Sequence, residues 1–221
     1  MRQKRIALIN DITGYSRCSI AAQLPIISAM SIECVFIPTA ILSINTYHSN
    51  YFFDDYTSKM NDYINTYKQI NLEVDGIVTG FLGSSKQIEI VIDFIKTFKQ
   101  KDTFVLIDPV MGDHGKLYKT YTPQMQAKMR ELIPYATILT PNLTELYALL
   151  DIDYPSEIPS YDELEKMCKC LVDKGAKMIV VTGINVKNKL INFVYEEGKK
   201  YHIVEVEKIG DERSGTGDVI S

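Results

Sequence analysis

Short apolar runs alternate along this chain with longer segments of helical period. The predicted strands are residues 5–9, 34–38, 75–80, 103–108, 136–140 and 178–183. Most of these runs are apolar on both faces, as strands buried in a parallel sheet are. Between them, residues 54–70 and 84–100 carry apolar residues three and four positions apart, which predicts amphipathic helices. The alternation predicts an α/β fold with a central, mostly parallel sheet covered by helices.

Local signals refine these elements. Two pairs of residues fit capping boxes that would begin helices, namely Ser84 with Gln87 and Ser160 with Glu163. Residues 189–208 alternate between apolar and polar positions on both sides of Glu197-Gly198, which predicts a β-hairpin with a two-residue turn. The chain has no internal repeat, low-complexity tract or interdomain linker, so we expect one domain over residues 1–221.

Composition excludes several classes of protein. Hydrophobic residues make up 46% of the 221 residues and charged residues 24%, as is typical of globular proteins. The net charge of −4 argues against a nucleic-acid partner and favours a small molecule. No segment is apolar enough for a membrane span or a secretory signal, so we expect no membrane partner and a cytoplasmic location. The cysteines lack metal-ligand spacing and are predicted to be reduced thiols.

Polar residues and glycines follow four of the predicted strands. These strand ends are Thr79-Gly80, Asp108-Pro109, Thr140-Pro141-Asn142 and Thr182-Gly183. Open α/β sheets bind their ligands at the carboxyl ends of their strands. The four strand ends therefore predict one shared binding crevice.

The stretch SGTGD contains Gly215, Thr216, Gly217 and Asp218. If the first three residues open a helix, their backbone N–H groups form an anion site favoured by the helix dipole. Asp218 would then stand beside a bound phosphate, where its carboxylate can take a proton from an attacking hydroxyl. A surface turn with a solvated acid is the alternative.

The stretch DPVMGDHGKLY begins with Asp108 at a strand end and continues into a loop of mobile composition over residues 112–116. Such a loop can close over a ligand. Asp108 and Asp113 are candidate ligands for Mg²⁺, which combines a few carboxylates with phosphate oxygens and waters. Lys116 could reach a phosphate. A turn acid at Asp108 and an ordinary surface lysine at Lys116 are the alternatives.

The stretch TPNLTEL places Asn142 three residues before Glu145. Spacing alone favours a helix cap, although both residues could also hold the waters of a metal ion. Thr182-Gly183 is as compatible with a simple turn as with a ligand contact.

Two segments are candidates for binding a polar ring. Residues 9–19 follow the first strand and offer Asn10 and Asp11, with a solvated loop as the alternative. Residues 42–47 offer Ser43, Asn45 and Thr46. Neither the dinucleotide fingerprint G-x-G-x-x-G nor the P-loop G-x-x-x-x-G-K-[ST] occurs.

Taken together, these stretches resemble the ribokinase superfamily, and specifically its pyridoxal/pyridoxamine (vitamin B6) kinase branch. The stretches INDITGYSRCSIAAQLP, PTAILSINTYHSNYFFDDYT, GIVTGFLGS, DPVMGDHGKLY, TPNLTEL and SGTGD occur in the family's order over nearly the whole chain. The resemblance implies a ribokinase-like three-layer α/β/α fold. It also implies ATP-dependent phosphorylation of the 5'-hydroxymethyl group of a B6 vitamer in a homodimer.

The resemblance assigns roles to individual residues. Asp218 matches the catalytic base, and Gly215, Thr216 and Gly217 match the anion hole. The remaining matches concern ATP and Mg²⁺. Asn142 and Glu145 match the motif that holds Mg²⁺ through water, with Asp108 nearby, and Thr182 matches a nucleotide-phosphate contact. Asp113 and Tyr118 match residues of the loop that closes over ATP and substrate, while Lys116 is our own candidate for reaching a phosphate.

The vitamer pocket matches less closely. Asn10 and Asp11 replace a common serine and histidine, Ile44, Asn45 and Thr46 replace asparagine-histidine-threonine, and Phe81 replaces a tyrosine. The acid at Asp11, after the first strand, also resembles an acid at the same place in the related hydroxymethylpyrimidine kinases. A hydroxymethylpyrimidine substrate is therefore an alternative.

In the family the helix opened by SGTGD continues, whereas this sequence ends at Ser221. The resemblance therefore implies a kinase truncated at its C-terminus and lacking the family's last helices. A truncated, non-catalytic vitamer-binding protein is the alternative from a different class.

Overall fold

Strands and helices alternate along the chain, as the hydrophobic pattern predicts. The structure, a computed structural model, describes residues 2–46, 48–118, 121–209 and 215–220. The strands are β1 Arg5–Tyr15, β2 Glu33–Ile44, β3 Phe53–Asp55, β4 Gly76–Thr79, β5 Phe104–Ile107, β6 Gly112–Asp113, β7 Lys116–Leu117, β8 Ile138–Leu139, β9 Met178–Val186, β10 Lys189–Glu196 and β11 His202–Glu207. The helices are α1 Ile20–Ala29, α2 Thr57–Gln69, α3 Ser85–Phe98, α4 Pro123–Met129, α5 Leu143–Leu150, α6 Tyr161–Asp173 and α7 Thr216–Ile220, with a 3-10 helix at Arg130–Tyr135.

The residues divide into two compact units, the first comprising Met1–Leu106 with Arg213–Ser221. Its strands lie in the order β5-β4-β1-β2-β3. Strand β1 pairs in parallel with both β2 and β4, and the short β3 runs antiparallel to β2. All residues of β4 are buried, as expected for a central parallel strand.

The second unit comprises Ile107–Glu212. Its strands lie in the order β8-β9-β10-β11, with β8 and β9 parallel and the other neighbours antiparallel. Strands β6 and β7 form a separate small hairpin. The predicted hairpin over residues 189–208 is confirmed, but residues 197–201 replace the predicted two-residue turn.

Strand β1 is longer than predicted. It continues beyond Ile9 through Asn10 and Asp11 to Tyr15, so the solvated-loop alternative for these two residues is wrong. Asn10 lies opposite Pro38 of β2 and Thr13 opposite Leu42, with a shift of register between Asn10 and Ile12. The buried Asn10 side chain forms hydrogen bonds with residues far away in the sequence, Gln23 and Asp218. Polar residues that locally indicate a loop can therefore lie in a buried strand.

Helix α1 was not predicted by periodicity. Its sequence IAAQLPIISA is apolar on most faces and contains Pro25, so it lacks the polar stripe of an amphipathic helix. Helix α3 follows the prediction closely, because Ile88, Val91 and Ile95 recur at helical spacing and are buried.

The predicted helix caps are present with one difference. Ser160 and Glu163 form the complete capping box that begins α6. Ser84 caps α3 by accepting a hydrogen bond from the backbone N–H of Gln87. The Gln87 side chain, however, accepts from the Gly83 N–H, so the reciprocal half of that box is shifted by one residue.

Candidate functional site

Asp218 lies in the first turn of α7 and is partly buried. One carboxylate oxygen, Oδ2, accepts a hydrogen bond from the backbone N–H of Ser19 at 2.8 Å. The other, Oδ1, accepts from Nδ2 of Asn10 at 3.3 Å. The predicted catalytic base is thus held by two residues that lie about two hundred positions away in the chain.

The pKa of Asp218 is raised above its ordinary value, first because burial disfavours the charged form. The hydrogen bond from Ser19 lowers this pKa, the like charge of Asp11 raises it, and the hydrogen bond from Asn10 lowers it. A carboxylate with a raised pKa is a stronger proton acceptor, which suits a general base.

Asp11 is a second buried carboxylate in this cluster, 5% exposed. Its Oδ2 accepts a hydrogen bond from the Thr13 hydroxyl at 2.6 Å. Burial raises the pKa of Asp11, while hydrogen bonds from the Ser19 and Thr13 side chains lower it. Burial and the nearby charge of Asp11 also raise the pKa of the Cys18 thiol.

The segment between β1 and α1 carries an unusual backbone. Ser16 and Ser19 both have positive φ, 83° and 54°. Gly215, with φ 84°, packs directly against the Arg17 carbonyl oxygen, so that an added Cβ would lie under 3.0 Å from that oxygen. Non-glycine residues at positive φ are uncommon and are found at functional sites. The contact places the turn that begins at Gly215 against this segment, and no local pattern in the sequence predicts it.

The other residues predicted to bind the vitamer differ in their contacts. The Phe81 N–H donates to Asn10 Oδ1 at 2.9 Å, so Phe81 joins the Asp218 cluster. The Ser43 hydroxyl accepts from the Phe52 N–H at 2.9 Å and thereby holds its own loop. Asn45 has a buried Oδ1 with no hydrogen-bond partner in the described part of the chain, and Thr46 is exposed. Within that part, no hydrogen bond joins Ser43, Asn45 or Thr46 to Asp218.

The second unit holds the predicted Mg²⁺ residues. Asn142 and Glu145 form a complete capping box at the start of α5, with the two contacts at 3.0 and 2.9 Å. Glu145 is 4% exposed, and burial followed by the charge of Asp108 raises its pKa well above the ordinary value. Backbone N–H groups of Asn142, Met111 and Gly112 act in the opposite direction.

The β6–β7 hairpin is tied to this helix start. Asn142 Nδ2 donates to the Gly112 carbonyl at 2.8 Å. The Met111 N–H donates to Glu145 Oε1 at 3.0 Å, and the Gly115 N–H donates to the Thr144 hydroxyl at 2.8 Å. Sequence reasoning missed Thr144, because a threonine in the first turn of a helix carries no distinct signal. The expected loop of mobile composition over residues 112–116 is therefore corrected to a hairpin held by three side chains of α5.

The other residues predicted to contact ATP lie in the β6–β7 region and in β9. Asp113 is exposed, and its Oδ1 accepts from the His114 N–H at 2.7 Å. The charge of Asp108 acts on Glu145 and raises its pKa. Lys116 and Tyr118 are also exposed. Thr182 forms a parallel bridge with Asn142, which brings the ends of two predicted crevice strands together.

Gly112→Ala is expected to open the hairpin. An added Cβ would lie under 3.0 Å from the Lys116 oxygen and the Leu117 Cα, and a backbone neighbour cannot rotate away. We expect hydrogen exchange of the peptide 110–118 to become at least about tenfold faster. Gly83→Ala is the matched control, because its nearest neighbours lie at 3.6 Å or more and no change is expected. Unchanged protection in Gly112→Ala would contradict the described hairpin.

No cluster of three or more histidine, cysteine, aspartate or glutamate side chains suitable for a metal ion occurs among the described residues. None of their helices is long and apolar enough to cross a membrane. The cysteines, two of which are buried, are free, as predicted.

Comparison with known proteins identifies the family. Residues 18–221 match the model of the phosphomethylpyrimidine kinase family. A Bacteroides thetaiotaomicron protein assigned as a phosphomethylpyrimidine kinase is 38% identical, and its rhombohedral crystal form matches with a TM-score of 0.95 over 99% of this chain and 76% of that one. The orthorhombic form of that protein, crystallised with pyridoxal, matches with a TM-score of 0.94 over 98% and 77%.

Curated relatives give a consistent result over a shorter span. The pyridoxine kinase of Bacillus subtilis is 33% identical over 137 residues, which is 62% of this chain and 49% of that protein. The chain spans about half the length of the curated relatives it matches. The predicted α/β fold class is confirmed by the matching crystal structures, and the resemblance to vitamin B6 kinases is confirmed by the curated relatives. On this evidence the chain belongs to the phosphomethylpyrimidine kinase family, within the ribokinase superfamily.

Proposed function

We propose that this protein transfers the γ-phosphoryl group of ATP to the 5'-hydroxymethyl group of a B6 vitamer. The observation that carries the proposal is the partly buried carboxylate of Asp218, which is held in place by Ser19 and Asn10 and has a raised pKa. The similar Bacteroides thetaiotaomicron protein, crystallised with pyridoxal, supports a pyridine ring as the acceptor.

In the proposed reaction the vitamer hydroxyl oxygen attacks the γ-phosphorus, and the bond from that phosphorus to the β,γ-bridging oxygen breaks. ADP leaves with the electron pair, and the hydroxyl proton passes to the Asp218 carboxylate. Phosphoryl transfer needs positioning and charge neutralisation more than covalent chemistry, so one base and an anion hole are sufficient protein groups. Gly215, Thr216 and Gly217 are proposed as that anion hole.

The second unit is proposed to hold Mg²⁺ and the nucleotide phosphates. Two mutually repelling carboxylates, Asp108 and the buried Glu145, are a donor set that a hard cation stabilises. When bound, Mg²⁺ would neutralise charge on the phosphate oxygens. Asp108 and Glu145 would hold it largely through water, Asn142 would orient Glu145, and Thr182 would contact the phosphates. Asp113, Lys116 and Tyr118 are proposed as ATP contacts of the hairpin region.

Two further assignments belong to this proposal. Ser43, Asn45, Thr46 and Phe81, together with Asp11, are proposed to surround the vitamer. A homodimer is proposed from the family resemblance, and light scattering of the purified protein measures its oligomeric state. The cytoplasmic location expected from the sequence is a separate proposal that does not rest on the family.

A hydroxymethylpyrimidine substrate is the second candidate. The name of the matching family and the buried acid Asp11 after the start of β1 both favour it. An ionised carboxylate accepts hydrogen bonds from the exocyclic amino group of such a pyrimidine.

A mass-spectrometric assay with Mg-ATP and four acceptors tests the proposal. The acceptors are pyridoxal, pyridoxamine, pyridoxine and hydroxymethylpyrimidine. Saturable phosphorylation of a B6 vitamer is the expected result, and exclusive phosphorylation of the pyrimidine would support the second candidate. Thermal stabilisation by a vitamer without any turnover would instead identify a non-catalytic binding protein.

A further inference from the structure

The side chain of Asn10 has no remaining hydrogen-bonding capacity. Its Oδ1 accepts from the backbone N–H groups of Asp11 and Phe81, each at 2.9 Å. Its Nδ2 donates to Gln23 Oε1 at 3.0 Å and to Asp218 Oδ1 at 3.3 Å. An amide offers two acceptor lone pairs and two donor hydrogens, so all four are used. Asn10 is also only 1% exposed, which leaves little surface for a ligand.

The orientation of this amide is fixed by its partners. Two backbone N–H groups can only donate, so the atom facing them must be the carbonyl oxygen. The NH₂ group then faces Gln23 and Asp218, both of which present oxygens. A flipped amide would place an oxygen against the Asp218 carboxylate and leave two buried backbone donors unpaired.

The surrounding chain is shaped to hold Asn10 in this position. At Gly80 an added Cβ would lie under 3.0 Å from the Asn10 amide, so only glycine leaves room for that side chain. Gln23 is 4% exposed on the largely apolar helix α1, where burying a polar side chain costs free energy unless it is hydrogen-bonded. Both features support the placement of one amide beside Asp218.

We propose that Asn10 is a positioning residue for the base Asp218, rather than a contact of the vitamer ring. This inference rests on the proposed function, because it assigns Asp218 the role of base. It replaces the expectation that Asn10 binds the ring, since binding would require the amide to give up an existing hydrogen bond. Asn10 orients the Asp218 carboxylate and limits the rise of its pKa.

The charged and polar groups around Asp218 define the direction in which its pKa moves when the Asn10 donor is lost. From β1, Asp11 raises the pKa of Asp218 and the Asn10 amide lowers it. From the segment before α1, the Ser19 N–H lowers it, and the nearby Cys18 thiol has a raised pKa and is neutral. Loss of the Asn10 donor must therefore move the pKa of Asp218 upward.

Asn10→Asp is the sharpest variant. It keeps the oxygen that accepts from Asp11 and Phe81, but it replaces the donor with a second acid facing Asp218. Because two adjacent carboxyl groups do not ionise together easily, we expect the acid limb of the kcat profile to rise by about 1 pH unit or more. The KM for the vitamer should change by less than about twofold, since no ring contact is lost.

Asn10→Leu is a second variant of similar shape, with the same expected direction. Gln87→Leu is the matched control, because Gln87 is another fully buried amide in the same unit. Its NH₂ group donates to Thr39, Asp55 and Thr57, and its oxygen accepts from the Gly83 N–H, so none of its hydrogen bonds reaches Asp218. We expect the control to lose stability while its acid limb stays at the wild-type pH. A raised vitamer KM with an unmoved acid limb in both Asn10 variants would overturn the inference and restore Asn10 as a ring contact.

A carboxyl ¹³C NMR titration separates this inference from the proposed function. The Asp218 resonance is assigned by its disappearance in Asp218→Asn, and its pKa is then measured in wild type and in Asn10→Leu. A higher pKa in the variant supports the positioning role even if the wild-type protein phosphorylates no vitamer. An unchanged pKa in a protein that does phosphorylate vitamers would overturn the inference alone.

Discussion

Asp218→Asn is expected to lower kcat for vitamer phosphorylation by about 10² to 10⁴-fold, the usual contribution of a positioned general base. The asparagine oxygen can still accept from the Ser19 N–H, so the turn should keep its place. What the variant loses is the group that takes the hydroxyl proton. The KM for the vitamer should change much less than kcat. Steady-state kinetics with saturating Mg-ATP measures both constants.

Asp151→Asn is the matched control for this substitution. Asp151 is an exposed residue at the end of α5 with φ 62°, a conformation that asparagine tolerates as well as aspartate does. Its removed charge affects only the ion pair with Arg130, so kcat should be unchanged. A wild-type rate in Asp218→Asn would show that another group accepts the proton.

The pH dependence of the wild-type protein follows from the same carboxyl group. Asp218 must be ionised to accept a proton, and burial together with Asp11 raises its pKa. The acid limb of the kcat profile is therefore expected above the ordinary pKa of an aspartate, which is about 3.9. This limb should be absent from the residual activity of Asp218→Asn.

Gly215→Ala is expected to have the second largest effect. Alanine at φ 84° is strained, and its Cβ would lie under 3.0 Å from the Arg17 carbonyl oxygen. The neighbouring residues Thr216 and Gly217 are exposed, so the turn can relieve the clash by moving away from Arg17. Such a movement carries Asp218 with it, and a displacement of 1 Å can cost about 10²-fold in rate. We expect that loss in kcat together with a stability loss of about 1–2 kcal/mol from the strained backbone.

Gly198→Ala provides the control for backbone strain alone. Gly198 also has positive φ, 73°, but no atom lies within 4 Å of an added Cβ. Its replacement should cost about 1–2 kcal/mol of stability and leave kcat unchanged. An equal loss of activity in both variants would mean that the contact of Gly215 with Arg17 does not place the base.

Much of the fold is readable in the sequence because the relevant interactions are local. The capping box of Ser160 and Glu163 depends on residues three positions apart, and it forms as predicted. Helix α3 buries the stripe that its periodicity indicates, and β4 is buried on both faces as its apolar run predicts. The ordered stretches from INDITG to SGTGD were sufficient to place the chain in its superfamily.

The sequence was less informative where the pattern of apolar and polar residues does not match the secondary structure and burial that those residues have in the fold. Helix α1 is too uniformly apolar to show a helical period, and β1 continues through polar residues that indicate a loop. Asn142 and Glu145 combine one feature that the sequence predicts with one that it does not. Their spacing predicts a cap, which forms, yet only the fold shows that the same carboxylate is buried near Asp108 and holds the Met111 N–H.

Strands, helix caps and glycine turns depend on short-range geometry, so the class of fold, the family and the residue types for the proposed phosphoryl transfer could all be read from the sequence. How those residues are used depends on the tertiary structure. It surrounds the Asn10 amide with Gln23 and the backbone N–H groups of Asp11 and Phe81, and it directs the amide NH₂ group at Asp218. Hydrogen bonds between residues that are distant in the chain arise only when the backbone has brought them together, so no spacing in the sequence encodes them.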